Sequence, residues 1–169
     1  MAERRRVTAG KKRVKAFLES SFDDEVENLT KLAKEVLRQC DEDGIGTDEL
    51  GSIKRAEQTF KLVNCSDPND NQAISEAAAG GANAAIGYLL NQGADPNTIG
   101  HFGRTPLYRA VFAGHVDTIT LLLEHGADPR IKATDLNEPR FITRDAAILA
   151  RVSDFFESKL NLNDNVEYI

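Results

Sequence analysis

One unit of this sequence is written twice, 33 residues apart. Ala77 pairs with Ala110, Gly81 with Gly114, Ile86 with Ile119, Leu89 with Leu122 and Leu90 with Leu123. The run Gly93-Ala94-Asp95-Pro96 then returns as Gly126-Ala127-Asp128-Pro129. A fixed period of this length marks a stacked repeat, in which each unit hides its apolar face against its neighbours. That constrains the fold more than any other feature of the chain.

The second copy, GRTPLYRAVFAGHVDTITLLLEHGADPR, is the cleaner one, and each part has a physical task. Thr105-Pro106 predicts a helix start: the hydroxyl can accept from an orphan N–H, and proline in the first helical position loses no hydrogen bond. Ala110 is small where two helices must approach. Gly114 ends the first helix, and His115 beside it can satisfy freed backbone groups. Ile119, Leu121, Leu122 and Leu123 form the apolar stripe of a second helix. Gly126 is a natural left-handed stop, and Asp128-Pro129 turns the chain onward.

With 169 residues the chain suits one small solenoid with an arm. It holds no stretch of about 18 apolar residues, so no membrane span is expected. Met1 to Lys15 is too polar for a secretory signal. Cys40 and Cys65 stand without a CxxC pair or a histidine cluster, which predicts free thiols in a reducing compartment and neither metal nor cofactor. Charge is divided unevenly: residues 1–15 carry +6 and the remainder −12, for a total of −6. Arg4, Arg5, Arg6, Lys11, Lys12, Arg13 and Lys15 supply that basic segment. It suits an acidic surface such as nucleic acid, an acidic protein tail or anionic lipid; it also suits an import signal or a solubilising tail.

Behind the basic segment, Ser20-Ser21 followed by Asp24 and Glu25 resembles a capping box. Phe22, Val26, Leu29, Leu32, Ala33, Val36 and Leu37 recur at helical spacing to about Gln39, giving one amphipathic helix with a single stripe. Val14, Phe17 and Leu18 hint at an earlier turn. The stripe needs a cover, either the chain's own repeats or a partner helix; two repeats are few for stability, which favours the chain's own. Asp41 to Asp48 places acidic residues and Gly46 like a calcium loop, but Ile45 and Ser52 stand where oxygen ligands belong, so an acidic loop is expected instead. Ile53, Ala56, Phe60 and Val63 predict a short helix that shields the flank of the first repeat.

The first repeat, Asn71 to Thr98, is more degenerate: Gln72-Ala73 stands where Thr-Pro stands in the second. A third unit is partial, with Glu138-Pro139 and Phe155-Phe156 in register but Ala147 and Lys159 where glycines would stand. The expected organisation is therefore a basic arm (1–15), an amphipathic helix (16–40), an acidic linker loop (41–51) and an N-terminal capping helix (52–66). Repeats follow over 67–160, in units of about 67–100, 101–133 and 134–160, and then a tail (161–169).

The second copy resembles an ankyrin repeat almost letter for letter, and the resemblance covers about residues 67–160. It implies an all-α, short ankyrin-repeat solenoid with two clear repeats and a degenerate C-terminal capping repeat. Around ISEAAAGG (Ile74 to Gly81) and FGRTPLYRAVFAGH (Phe102 to His115) the chain is most similar to IQ-motif-and-ankyrin-repeat proteins. No Ile-Gln calmodulin-binding motif is present, so calmodulin does not carry over as a partner. That resemblance implies a link to cilia or flagella, while the unpaired cysteines predict an intracellular, cytoplasmic setting.

Ankyrin-repeat proteins bind other proteins through finger tips and a concave face and are not enzymes. Transferred by position, the partner-binding residues are Ile99, His101, Phe102, Arg104, Arg109 and Phe112, with Ala113 beside them. Their first-repeat counterparts are Pro68, Asn69, Asn71, Ala79 and Gly80. Exposed aromatics beside arginine have the composition of an interface anchor; the alternatives are that Phe102 stacks on Tyr108 or that the N-terminal helix covers both rings. His101, His115 and His125 are the only histidines, and no nucleophile–base order or phosphate loop accompanies them, so no catalytic residues are expected. The two functions left are a non-enzymatic adaptor binding a protein partner, and a tether whose basic arm holds an acidic polymer, such as nucleic acid or the acidic tails of a microtubule surface, with the repeats as spacer.

Overall fold

The computed structural model describes residues 2–134, 143 and 145–163, with side chains from 12 to 134, at 143 and from 145 to 155. The helices are α1 (Ala2–Phe22), α2 (Val26–Glu42), α3 (Glu49–Val63), α4 (Ala73–Gly80), α5 (Asn83–Asn91), α6 (Pro106–Ala113), α7 (Val116–Glu124) and α8 (Ala146–Asn163). A 3-10 turn over His101–Gly103 sits between α5 and α6. Among the described residues there is no strand, only one isolated antiparallel bridge between Ser66 and Gln72.

Helices α4/α5 and α6/α7 are the two repeats. Each inner helix ends on a left-handed glycine, Gly81 at φ 72° and Gly114 at φ 82°, which lets the chain reverse within two residues. Thr105 caps α6 by accepting from the Tyr108 N–H at 3.2 Å, with Pro106 behind it. The inner helices α4 and α6 stack, as do the outer helices α5 and α7. Ile74, Ile86, Leu89, Leu107, Ile119, Leu122 and Leu123 are almost wholly buried between them. Polar bonds repeat the same stacking. The Thr118 hydroxyl donates to Asn83 at 2.7 Å, and Asn97 both donates to the Gly126 carbonyl at 3.0 Å and accepts from the Asp128 N–H at 2.7 Å.

Residues 16–40 do not form one helix. The chain breaks at 23–25, with Asp24 left-handed at φ 60°, and α1 folds back against α2. Ser20 and Ser21 lie in the last turn of α1, where the Ser21 hydroxyl donates to the Phe17 carbonyl at 2.8 Å, so they do not start a helix. Asp24 caps a different element: its carboxylate accepts from the Ala85 N–H of α5 at 2.6 Å. The reason for the break lies in burial. Phe17 of α1 packs into the same core as Leu29, Ala33 and Val36 of α2, which a straight helix would carry away from the repeats. The stripe is thus covered by the chain itself, although Phe22 stays exposed. Residues 2–15, read from sequence as an arm, continue α1 as helix.

The α1–α2 hairpin extends the stack where a preceding repeat would stand, α1 against α4 and α2 against α5. Helix α3 packs on α2 and buries Gly51 in its first turn and Leu62 and Val63 at its C-terminal end. The face expected from Ile53, Ala56, Phe60 and Val63 is therefore not buried as a unit: Ile53 is 60% and Phe60 52% exposed. Because α1 and α2 already cover the flank of the first repeat, α3 is displaced outward. The 41–48 loop has local tasks: Asp48 caps α3 through the Gly51 N–H at 3.1 Å, and Arg55 ties Asp41 to the Ile45 carbonyl.

At the other end α8 packs on α7 through Ile148, Val152 and Phe155. It runs unbroken past Ala147, the position where Gly114 ends the inner helix of the second repeat. Glu138-Pro139 and the tail from Asp164 lie outside the described residues, and the side chain of Phe156 is likewise not described.

Candidate functional site

The site is built from the finger that precedes the second repeat and from the exposed face of α6. In the finger, Asp95 accepts from the Asn97 N–H at 2.8 Å and turns the chain, leaving Ile99 outward. Phe102 is left-handed at φ 58°, a rare backbone conformation for a bulky residue, and Gly103 follows at φ 71°. Neighbouring fingers hold this conformation from both sides. The Phe102 carbonyl accepts from the Thr134 N–H at 2.8 Å, and the His101 N–H donates to the Asn71 side-chain carbonyl at 3.1 Å. Strain kept in place by its surroundings points to a positioned side chain. The Phe102 ring lies 3.8 Å from that of His101.

Arg104, Tyr108 and Phe112 follow at four-residue steps, which places them on one side of α6 and the residue leading into it. The Arg104 guanidinium carbon sits 5.2 Å from the centre of the Tyr108 ring, 5.3 Å from Phe102 and 5.9 Å from Phe112. Tyr108 is buried, whereas Phe102 is 56% and Phe112 70% exposed. The guanidinium therefore lies over all three rings, and Phe102 makes its ring contact with His101. Helix α1 lies against α4 and covers neither phenylalanine.

These groups open onto a cavity of about 400 Å³ lined by Asn71, Ala79, His101, Arg104, Tyr108, Arg109, Phe112 and Ala113. It brings together His101, Arg104, Arg109 and Phe112 of the residues expected from sequence, with Asn71 and Ala79 from the first repeat. Phe102 joins through Arg104, while Ile99 stays apart on the finger. Arg109 has a second engagement: it binds Glu76 of α4 at 2.8 Å, both side chains largely buried. The sequence did not mark Glu76, and it marked Tyr108 only as a stacking partner for Phe102. The 33-residue offset between Glu76 and Arg109 was the available signal, since equal positions in a stack face one another.

Across Glu76 a second and larger hollow, about 970 Å³, separates α1 from the 66–68 turn. Val14, Leu18, Phe22 and Pro68 give it an apolar surface, and Glu19, Asp23, Asp67 and Glu76 an acidic rim beside Lys15. Burial works against ionisation of Asp67, but the N–H groups of Asn71 and Asn69, at 2.9 and 2.8 Å, outweigh it and hold the carboxyl below its ordinary range. The concave face is thus bipolar, cationic and aromatic at α6 and acidic at α1. Of the basic N-terminal residues, Lys12 and Lys15 are exposed, Arg13 is half-buried, and the side chains of Arg4, Arg5, Arg6 and Lys11 lie outside the described residues.

The remaining reactive groups are occupied with structure. A ring nitrogen of His115 lies 3.1 Å from the Ala79 carbonyl and one of His125 lies 2.8 Å from that of Leu121. Cys40 is buried, and burial pushes the Cys65 thiol up to about 12. Among the described residues no three His, Cys, Asp or Glu side chains are placed to hold a metal ion. No described helix is long and apolar enough to cross a membrane.

Comparison with known proteins places the repeats. The family model for ankyrin repeats in three copies matches residues 49–133. Cyclin-dependent kinase 4 inhibitor B of Bos taurus is 37% identical over 78 residues, 46% of this chain and 55% of that protein. The 26S proteasome non-ATPase regulatory subunit 10 of Dictyostelium discoideum is 40% identical over 67 residues, 39% of this chain and 29% of the subunit. The 2-5A-dependent ribonuclease of Mus musculus is 44% identical over 61 residues, 36% of this chain but only 8% of the ribonuclease. The chain therefore matches about half or less of the length of these relatives.

Proposed function

Because this chain belongs to the ankyrin-repeat family, we propose that it is a non-enzymatic protein-interaction module that holds a partner on the finger and concave face of its second repeat. The observation that carries the reading is Phe112, 70% exposed at the mouth of the cavity, with Phe102 presented by a strained backbone on the other side of Arg104. Monomeric proteins leave single apolar residues exposed without consequence, but two aromatics flanking an arginine over a concavity have the make-up of a binding hot spot. The relatives support regulation by contact: one is named as an inhibitor of a cyclin-dependent kinase and another as a regulatory subunit of the proteasome. The ribonuclease match spans too small a share of that enzyme to bring its activity here. As an adaptor, the module works by rigidity. Its stacked repeats present preformed side chains, so little ordering entropy is lost on binding.

The test is affinity capture from a cell lysate with the full chain and with Phe102→Ser/Phe112→Ser. Both residues are exposed, so the variant should melt with wild type. Loss of a captured protein at equal stability supports the module; an unchanged capture profile removes this face from consideration.

A further inference from the structure

Resting on that reading of the α6 face, we infer that the group it is built to receive is a single carboxylate of a partner peptide, an Asp or Glu side chain seated on Arg104 between Phe102 and Phe112. Four of the other described arginines show what is missing at that position. Arg38, Arg55, Arg109 and Arg130 each hold a carboxylate of the chain itself. Arg104 has none among the described residues, and its Nε–H is buried without an acceptor. The guanidinium thus lacks an anionic partner, and the two oxygens of a carboxylate match its fork best. The three rings around Arg104 restrain it in advance, and stacking on aromatic faces is compatible with in-plane bonding at the guanidinium edge. The Nε–H is closed to solvent, but Arg104 lines the open cavity and its two terminal nitrogens are not buried, so a carboxylate can reach those.

The surroundings specify how much negative charge is welcome. Arg109 is already neutralised by Glu76, and past Glu76 the rim is Glu19, Asp23 and Asp67. An acidic run or a polyanion crossing this face would meet like charges, whereas one carboxylate followed by apolar side chains would meet Phe112 and then the apolar wall of the α1 hollow. Charge complementarity thus selects a peptide with one acidic anchor, and not a nucleic acid.

The experiment is selection of a random-peptide display library on the full chain, followed by affinity measurement of the enriched peptides on wild type, Arg104→Gln, Arg104→Lys and Phe112→Ser. The expected result is convergence on an Asp or Glu beside apolar residues. Its replacement by Asn or Gln should weaken binding about tenfold on wild type and have no effect on Arg104→Gln. Arg104→Lys keeps the charge without the fork and should fall between. Peptides without a fixed acidic position, peptides carrying acidic runs, or a carboxylate effect that survives in Arg104→Gln would overturn the inference. Peptides lost in Phe112→Ser but indifferent to Arg104→Gln would leave the binding face standing and remove the carboxylate. Peptides indifferent to both variants, or an empty selection on folded protein, would count against both. Should Arg104→Gln melt early, the comparison rests on Arg104→Lys and on the peptide-side substitution.

Discussion

Glu76 and Arg109 stand at the same position of consecutive repeats and bind one another at 2.8 Å, each about a fifth exposed. A stack of identical units brings every position next to its own copy, so opposite charges at the repeat offset become a rung between units. The rung also divides the concave face, since Arg109 lines the aromatic cavity and Glu76 the acidic hollow.

Breaking that rung should destabilise the stack. Arg109→Met leaves Glu76 largely buried without its cation, which should cost about 1–3 kcal/mol. Exchanging the charges, Glu76→Arg with Arg109→Glu, should recover most of the loss. Urea unfolding of the four proteins measures the coupling directly. A coupling near zero would mean that the two residues are merely adjacent.

The repeats were legible because their grammar is local: Thr105-Pro106, Gly114 and Gly126 each act within a few residues of where they stand. Transfer by position from the family resemblance named His101, Arg104, Arg109 and Phe112, and these four line one cavity. Other features depended on distant partners. The break at Asp24 is set by the need of Phe17 and Leu29 to enter one core, and its carboxylate caps a helix more than sixty residues on, so no local pattern announces it. The stripe of α3 has helical spacing, but whether Ile53 and Phe60 are covered depends on where α2 lies. Arg104 could be marked as exposed and cationic from sequence; that its donor goes unmet could be seen only once its neighbours were placed.

The first repeat should gain from the cap of the second. Gln72 starts α4 with no side-chain cap and its amide oxygen is buried without a donor, whereas Thr105 at the equivalent place bonds the Tyr108 N–H. A threonine oxygen is held close to its own backbone and reaches the N–H two or three residues on more readily than the longer glutamine amide. Gln72→Thr should raise stability by about 0.5–1 kcal/mol, and Thr105→Ala should lower it by about 1 kcal/mol. Thermal melts decide both, and a Gln72→Thr protein no more stable than wild type would show that the cap is already satisfied by another route.

Gly80 fixes the seat of α1. A Cβ at this position would come within 2.3 Å of the Phe22 carbonyl oxygen, a backbone atom that cannot turn aside. Gly80→Ala should therefore push α1 away from α4 and cost about 1–3 kcal/mol. The cost would fall on α1 first, so hydrogen exchange should rise in residues 12–22 before it rises in α6 or α7. Uniform protection throughout would mean that the helix shifts without loosening.

Cys65 should make stability fall at alkaline pH. Burial raises its thiol from an ordinary 9.0 to about 12 in the folded chain. Above pH 9 the unfolded thiol loses its proton while the folded one keeps it, so the unfolded state binds fewer protons and gains relative to the native state. The contribution is complete below pH 9 and lost progressively as pH rises toward 12. Lysines and tyrosines also titrate there, but they do so equally in Cys65→Ala. Between pH ~8 and ~10.5, wild type should lose more stability to urea than Cys65→Ala, even if the alanine variant starts lower through lost packing. Identical losses in the two proteins would mean that the thiol ionises as freely folded as unfolded. In that case it should also react with alkylating reagents at the rate of an exposed cysteine.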